Sequence, residues 1–230
     1  MQRGVRKVFS EVPHTYELVN HILTFGMDIF WRKKTAKLAA IEGGSAWIDI
    51  CSGTGEMAEY LCRLAGKKTL VVAADFSMPM ISKAVHKPAA HQIVFIISDA
   101  SALPFRDKVF DLVSISFATR NINFNRKALI QHIREFYRIL KPGGRFVNLE
   151  TSQPPWGMVK RLFHFYARIM VKPVRQIISG SKDGYSYLSH TIPRFYNARE
   201  FADIIEQTGF KAVKFHHIMF GVVAIHMALK

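Results

Sequence analysis

Two polar residues stand where an apolar strand should end. Residues 112 to 117 are Leu-Val-Ser-Ile-Ser-Phe, and within three residues the chain offers Arg120 and Asn121. A guanidinium keeps its charge at physiological pH. It is either a solvated or ion-paired strand end or a cation aimed at a chemical event, and position alone leaves both open. A second group lies upstream in WIDICSGTGEMAEY (47–60), which runs from a strand into Gly53-Thr54-Gly55 and out into a helix. Glycines there let the backbone approach a ligand, and the helix N-terminus presents free amides. Asp75 follows 20 residues after Gly55, where its carboxylate can take two ribose hydroxyls. Asp49 precedes the loop, and Asp99-Ala100 follows a later strand, where it can accept an adenine amino group. Gly53-x-Gly55-x-x-Ala58 with an acid about 20 residues on is also the dinucleotide fingerprint. Asp49 would repel a diphosphate and welcome a cationic amino acid moiety, so a sulfonium nucleoside fits the carboxylates better than NAD.

These residues need a scaffold. Near-continuous apolar strands are predicted at 46–51, 69–75, 93–98, 110–117 and 144–150, with helices at roughly 56–65, 77–86 and 126–140. That alternation implies a parallel sheet covered on both faces. KPGG (141–144) is predicted to stop a helix and make a turn. After the helix in AREFADIIEQTGF, the strands KAVKFHHI and FGVVAIHMAL are separated by only a short turn, so an antiparallel strand is expected at the end. The fold class is α/β: a Rossmann-like, seven-stranded, mostly parallel sheet ending in an antiparallel strand. One domain over 1–230 is expected, with a helical N-terminal cap at about 8–42 and a helical insertion at about 151–195 forming a substrate lid.

The composition is globular, 49% hydrophobic and 21% charged over 230 residues. No apolar run reaches the length of a membrane span, and the basic N-terminus lacks the apolar region of a secretory signal. Cys51 and Cys62 show no metal-ligand spacing and are expected to stay reduced in a cytosolic chain. Histidines 14, 21, 132, 164, 190, 216 and 217 show none either and are expected at the surface or in structural roles. Thirty-two Lys and Arg against 17 Asp and Glu leave +15, which favours an anionic partner. From Thr151 to Lys182 there are six Lys or Arg and no Asp or Glu. A helix over 157–172 would place Arg161, His164, Arg168 and Lys172 on one side, as on an anionic membrane surface.

The chain resembles the ubiquinone/menaquinone biosynthesis C-methyltransferases, a family of class I S-adenosylmethionine-dependent enzymes. The resemblance runs from about residue 8 to the last. It rests on YELVNHILTFGMDIFWRKKT, DICSGTGEMA, SDASALPFRDKVFDLVSISFATRNI, YRILKPGGRFVNLETSQP, YSYLSHTIPRF and GVVAIHMALK. It implies S-adenosyl-L-methionine as cofactor, S-adenosyl-L-homocysteine as product, and no metal. Cofactor contacts would fall on Thr54 between Gly53 and Gly55, on Asp75 with Phe76, on Asp99 and Ala100, and on Ser116, beside Asp49. Arg120, supported by Asn121 and Tyr16, would help remove a substrate hydroxyl proton. The substrate would be a prenylated hydroquinone, either a demethylmenaquinol or a 2-methoxy-6-polyprenyl-benzoquinol, methylated on a ring carbon. The ring carbon becomes nucleophilic only as a neighbouring phenol loses its proton, and a guanidinium beside the oxygen lowers that phenol's pKa without acting as a base. The enzyme would then be cytoplasmic and peripheral on the inner face of the membrane. A homodimer or a quinone-biosynthesis complex stays open. The loop departs from the common Asp-x-Ala-Gly-Gly-Thr-Gly-Asp, with Cys51-Ser52 and then Glu56. Other small-molecule or lipid methyltransferases share these features. A nucleic-acid methyltransferase is disfavoured, because Phe-Ala-Thr-Arg-Asn stands where a base-modifying loop would be. A non-catalytic cofactor-binding subunit is disfavoured by the intact Asp49, Asp75 and Asp99.

Overall fold

The computed structural model describes the backbone of residues 13–178 and 194–230, and the side chains of 17–170 and 194–230. Two helices, α1 (Pro13–Leu23) and α2 (Met27–Ala40), precede the sheet. Then follow β1 (Ala46–Ile50), α3 (Glu56–Leu64), β2 (Leu70–Asp75), α4 (Met78–Ala84), β3 (Ile93–Ile97) and β4 (Phe110–Ser116). The chain continues through α5 (Thr119–Ile122), α6 (Arg126–Ile139), β5 (Leu140–Thr151), α7 (Gly157–Ile178), α8 (Ala198–Glu206), β6 (Lys211–Ile218) and β7 (Val223–Leu229). Parts of the expected cap (8–12) and lid (179–193) lie outside the described residues.

The seven strands form one sheet in the order β3-β2-β1-β4-β5-β7-β6, and β7 alone runs antiparallel to its neighbours. That strand is last in the chain but not at the sheet's edge: it slots between β5 and β6. All five residues of β1 are buried, as a strand covered on both faces requires. One face packs Phe110, Phe136, Phe146, Phe201 and Phe210 under α6 and α8. The other packs Trp31, Trp47, Met57 and Leu61 under α2 and α3. α6 presents Leu129, Ile133 and Phe136 at helical spacing to the first layer, and Asn125 caps it by accepting from the Ala128 amide. A capping box of Asn197 and Glu200 starts α8.

The KPGG segment departs from the expected turn. α6 stops at Ile139, but residues 141–144 are a bulge inside β5, between the pairs Phe110–Leu140 and Leu112–Arg145. The bulge turns to the C-terminal residue instead: Gly143 N donates to Lys230 O and Lys230 N to Gly144 O, each at 2.9 Å. The chain leaves β1 toward β2 and β3, then returns to β4 on β1's other side. In open α/β sheets a ligand crevice lies at such a switch point, here outside the carboxyl ends of β1 and β4.

Candidate active site

At that crevice β1 runs into Cys51 (φ +54°), Gly53 (φ +55°) and Gly55 (φ +83°) before α3. A Cβ at Gly55 would stand 2.9 Å from the Ala84 Cβ of α4, so both sign of φ and space demand glycine. Asp75, at the end of β2, accepts from the Gly53 amide at 2.9 Å and from the Ser77 amide at 2.8 Å. Burial nonetheless pushes its carboxyl above the ordinary value, against those hydrogen bonds. A carboxylate offers about four lone-pair sites, so Asp75 retains acceptor capacity. Gly53, Thr54, Asp75, Phe76, Ser116 and Asn121 line one cleft of about 590 Å³, solvent-open space included.

Other expected residues lie outside this lining. Asp49 is 1% exposed. Its Oδ1 accepts from Ser114 Oγ at 2.6 Å, while Oδ2 is buried with no partner among the described residues. Burial raises its carboxyl to about 7, outweighing the Ser114 hydrogen bond. Asp99 accepts from the Ser101 amide at 2.9 Å and hydroxyl at 2.8 Å, with Ala100 buried beside it. Cys51 lines the cleft. Burial first, and then the carboxylates of Asp75, Asp49 and Asp99, push its thiol well above its usual range. Both cysteines are free.

Arg120 sits on α5, which the chain enters after Phe117 at φ +53°. Its guanidinium is 7% exposed and is not lone. Nη1 donates to Thr151 Oγ1 at 2.9 Å and stands 3.4 Å from Glu150 Oε1. The Arg120 amide donates to Glu150 Oε2 at 3.1 Å, and the Thr151 amide and hydroxyl both donate to Glu150 Oε1. Arg120 Nε and Asn121 Oδ1 are buried without partners among the described residues. Arg120 and Asn121 face an apolar cavity of about 1390 Å³, again with solvent-open space included. Its walls come from Leu23, Met27 and Trp31, from Leu162, Phe163 and Tyr166 of α7, and from the β6–β7 turn. Tyr166 OH donates to Leu23 O at 2.7 Å and ties α7 to α1. Tyr16 belongs to α1, but its side chain lies outside the described residues.

Arg32 and Asn121 line both the polar cleft and the apolar cavity. Arg32 was not expected at the site. Its guanidinium stands 2.5 Å from Asp28 and 3.4 Å from Glu56, and 5.0 Å from the centroid of the Phe117 ring. His21 adds contacts of 3.0 Å to Asp28 and 3.6 Å to Glu56. The ligand atoms of His21, Asp28 and Glu56 lie within 4.8 Å of one another, a grouping that their sequence spacing hides; Arg32 is their counter-charge. Burial raises the Glu56 carboxyl, and Arg32 acts against that rise. Thr54 is held from α1: its hydroxyl and Lys87 hydrogen-bond Glu17, and together they outweigh burial and hold that carboxyl below its ordinary range.

The model of the ubiE/COQ5 methyltransferase family matches residues 1–230. A Pseudomonas putida protein described as ubiquinone/menaquinone biosynthesis C-methyltransferase UbiE is 32% identical over 99% of this chain and 89% of its own length. The protein of that description from Proteus mirabilis is 31% identical over 100% and 91%. Among solved structures, a SAM-dependent methyltransferase of Thermotoga maritima superposes with TM-score 0.68 at 17% identity, covering 97% of this chain and 99% of its own. A putative methyltransferase of Haloferax volcanii in complex with its Trm112 activator reaches 0.69 at 15% identity, covering 96% of each chain.

Proposed function

The chain belongs to the ubiE/COQ5 methyltransferase family, and on that premise we propose that it methylates a ring carbon of a prenylated hydroquinone from S-adenosyl-L-methionine. The substrate is a demethylmenaquinol or a 2-methoxy-6-polyprenyl-benzoquinol. When bound, the cofactor supplies an electrophilic methyl group on a sulfonium. The residues present fit it. Asp75 has spare acceptor capacity for ribose hydroxyls, and Gly53, Thr54 and Ser116 line the same cleft. The three carboxylates around Cys51 suit a cation and would repel a dinucleotide's diphosphate. Asp99 and Ala100 stand beside this cleft as the adenine-side pair.

The observation that carries the reading is the shared wall. A polar cleft and an apolar cavity meet at Asn121 and Arg32, and Arg120 faces the apolar side from beside that wall. A prenylated ring in the cavity brings its hydroxyl to Arg120, whose charge stabilises the phenolate as the proton passes to water at the solvent-open side of the cavity. Asn121 Oδ1, which lacks a partner, accepts from the same hydroxyl. Glu150 holds both the backbone and the side chain of Arg120, so the guanidinium is already aimed. Preorganised donors of this kind are worth about 3 kcal/mol each. The helices before β1 and the segment after β5 act as cap and lid, and the enzyme works peripherally at the cytoplasmic face of a membrane. Changing Arg120 to Ala is expected to lower kcat by about 10²- to 10³-fold, with affinity for S-adenosyl-L-homocysteine by calorimetry nearly intact. Parallel loss of both would make Arg120 a structural arginine and defeat the reading.

A further inference from the structure

α7 carries an apolar row that stands exposed, packed on none of the described residues. Met158, Leu162, Phe165 and Ile169 follow at spacings of four, three and four and are 75, 61, 62 and 47% exposed. At 3.6 residues per turn they form one stripe. Val159, Phe163 and Ala167 lie a quarter- to a half-turn away, on the more buried side, and Arg161 and Arg168 lie exposed on the stripe's other flank. The stripe continues into the mouth of the apolar cavity, which Leu162 also lines together with Phe25, Met219 and Phe220. Those three stand on turns, with Phe25 and Phe220 more than 70% exposed. Each has a left-handed backbone, at φ +52°, +49° and +55°. Such conformations cost a side chain energy and persist where the surroundings impose them, and here they aim apolar side chains outward. Loop tips in water have no use for that.

We propose that this face docks on an anionic lipid bilayer. The α7 stripe and the tips at Phe25 and Phe220 enter the headgroup–acyl boundary, and the cavity opens into the membrane without an aqueous gap. The inference rests on the prenylated substrate proposed above: the prenyl chain enters the cavity directly from the bilayer. Interfacial helices combine this arrangement of apolar face and flanking cations. The cations come without acids, since no Asp or Glu occurs from Thr151 to Lys182. A second copy of the chain is a poor occupant, because a two-fold contact would set Arg161 and Arg168 against their own counterparts in a chain of net charge +15. His164, expected among the cations, instead has Nε2 2.7 Å from Gln153 Oε1 and is half-buried.

Trp156 reports on the docking, being 56% exposed, whereas Trp31 and Trp47 are 5 and 1% exposed. With the full chain and vesicles containing phosphatidylglycerol and brominated acyl chains, its fluorescence is expected to be quenched, and Trp156→Phe should remove all but the share of Trp31, which lines the cavity. The pair Met158→Glu and Phe165→Glu, neither lining the cavity, should weaken vesicle partitioning by more than tenfold. It should leave methylation of a water-soluble, short-chain quinol unchanged and reduce methylation of a vesicle-embedded long-chain quinol. Neutralising Arg161 and Arg168 to Gln should cost about fivefold each on anionic vesicles and little on phosphatidylcholine alone. Unquenched Trp156, or sedimentation in which the glutamate pair dissolves a dimer, overturns the proposal. If the short-chain quinol is not methylated, the substrate reading fails, while bromolipid quenching still decides the docking face.

Discussion

Replacing Asp49 with asparagine exchanges a buried ionisable group for a neutral one of the same shape, and the structure sets the size and sign of the result. The carboxyl titrates near 7 in the fold because burial disfavours its charge, against an ordinary 3.8 in the unfolded chain. Between those values the folded protein holds a proton that the unfolded chain has released. Stability therefore falls as pH rises through this window and stays low above it. Each tenfold change in the proton constant is worth about 1.36 kcal/mol, so the window costs the wild type about 4 kcal/mol. Asparagine removes that pH-dependent cost. In return it places an amide N–H where Oδ2 now lacks a partner, at about 1–3 kcal/mol. The variant is thus expected to melt below the wild type at pH 4 and above it at pH 8. At about 2–4 °C per kcal/mol, the difference should swing by about 8–16 °C between the two. Differential scanning fluorimetry of both proteins without cofactor, from pH 4 to 8, measures it. A difference that stays constant across this range would refute the claim that Asp49 carries a charge-burial cost. Adding S-adenosyl-L-methionine at pH 8 should raise the wild type's melting temperature more than the variant's.

Glu150→Gln turns one of the oxygens that hold Arg120 and Thr151 into a donor facing donors; steady-state kinetics should show kcat lowered by about 10- to 100-fold, with cofactor affinity by calorimetry unchanged. An equal fall in both would mean that the glutamate merely holds the fold. His226 is 2% exposed, has Nε2 2.8 Å from Ala198 O, and is pushed down to about 4 by burial. The unfolded chain binds its proton from about 6.5, so this residue costs the fold stability as pH falls from about 6.5 to 4, by about 3 kcal/mol. It opposes Asp49 over much of that range, so each residue shows in variant-minus-wild-type melting curves: His226→Gln should gain on the wild type toward acid pH. A flat difference would refute the shift.

The strands were legible because both of their faces are buried, so apolar runs such as Trp47-Ile-Asp-Ile mark them without alternation. The Gly53–Gly55 loop was legible because glycines at positive φ before a helix have few structural alternatives. The place of β7 was not, because a two-strand hairpin can join a sheet by either strand, and nothing local says which. The bulge at 141–144 was hidden because its partner is Lys230, at the other end of the sequence. Glu150 escaped for the same reason: its contact with Arg120 spans 30 residues, and alone it reads as the last residue of a strand. Arg32 and His21 sit in a helical stretch whose polar residues look solvated until α3 brings Glu56 to them. Asp49's position behind the loop follows from which face of β1 it occupies, and the alternation of a doubly covered strand carries no mark of that.

Cys51 has a consequence for the cleft's own survival. A thiolate facing a sulfonium methyl donor would be a rival nucleophile, and its alkylation would block the chamber with a thioether for good. Half-buried at the cleft wall and crowded by three acidic neighbours, this sulfur keeps its proton, and a protonated thiol is a poor attacker of carbon. On the proposed function, the acids that would welcome a cationic reagent also disarm the group most able to squander it.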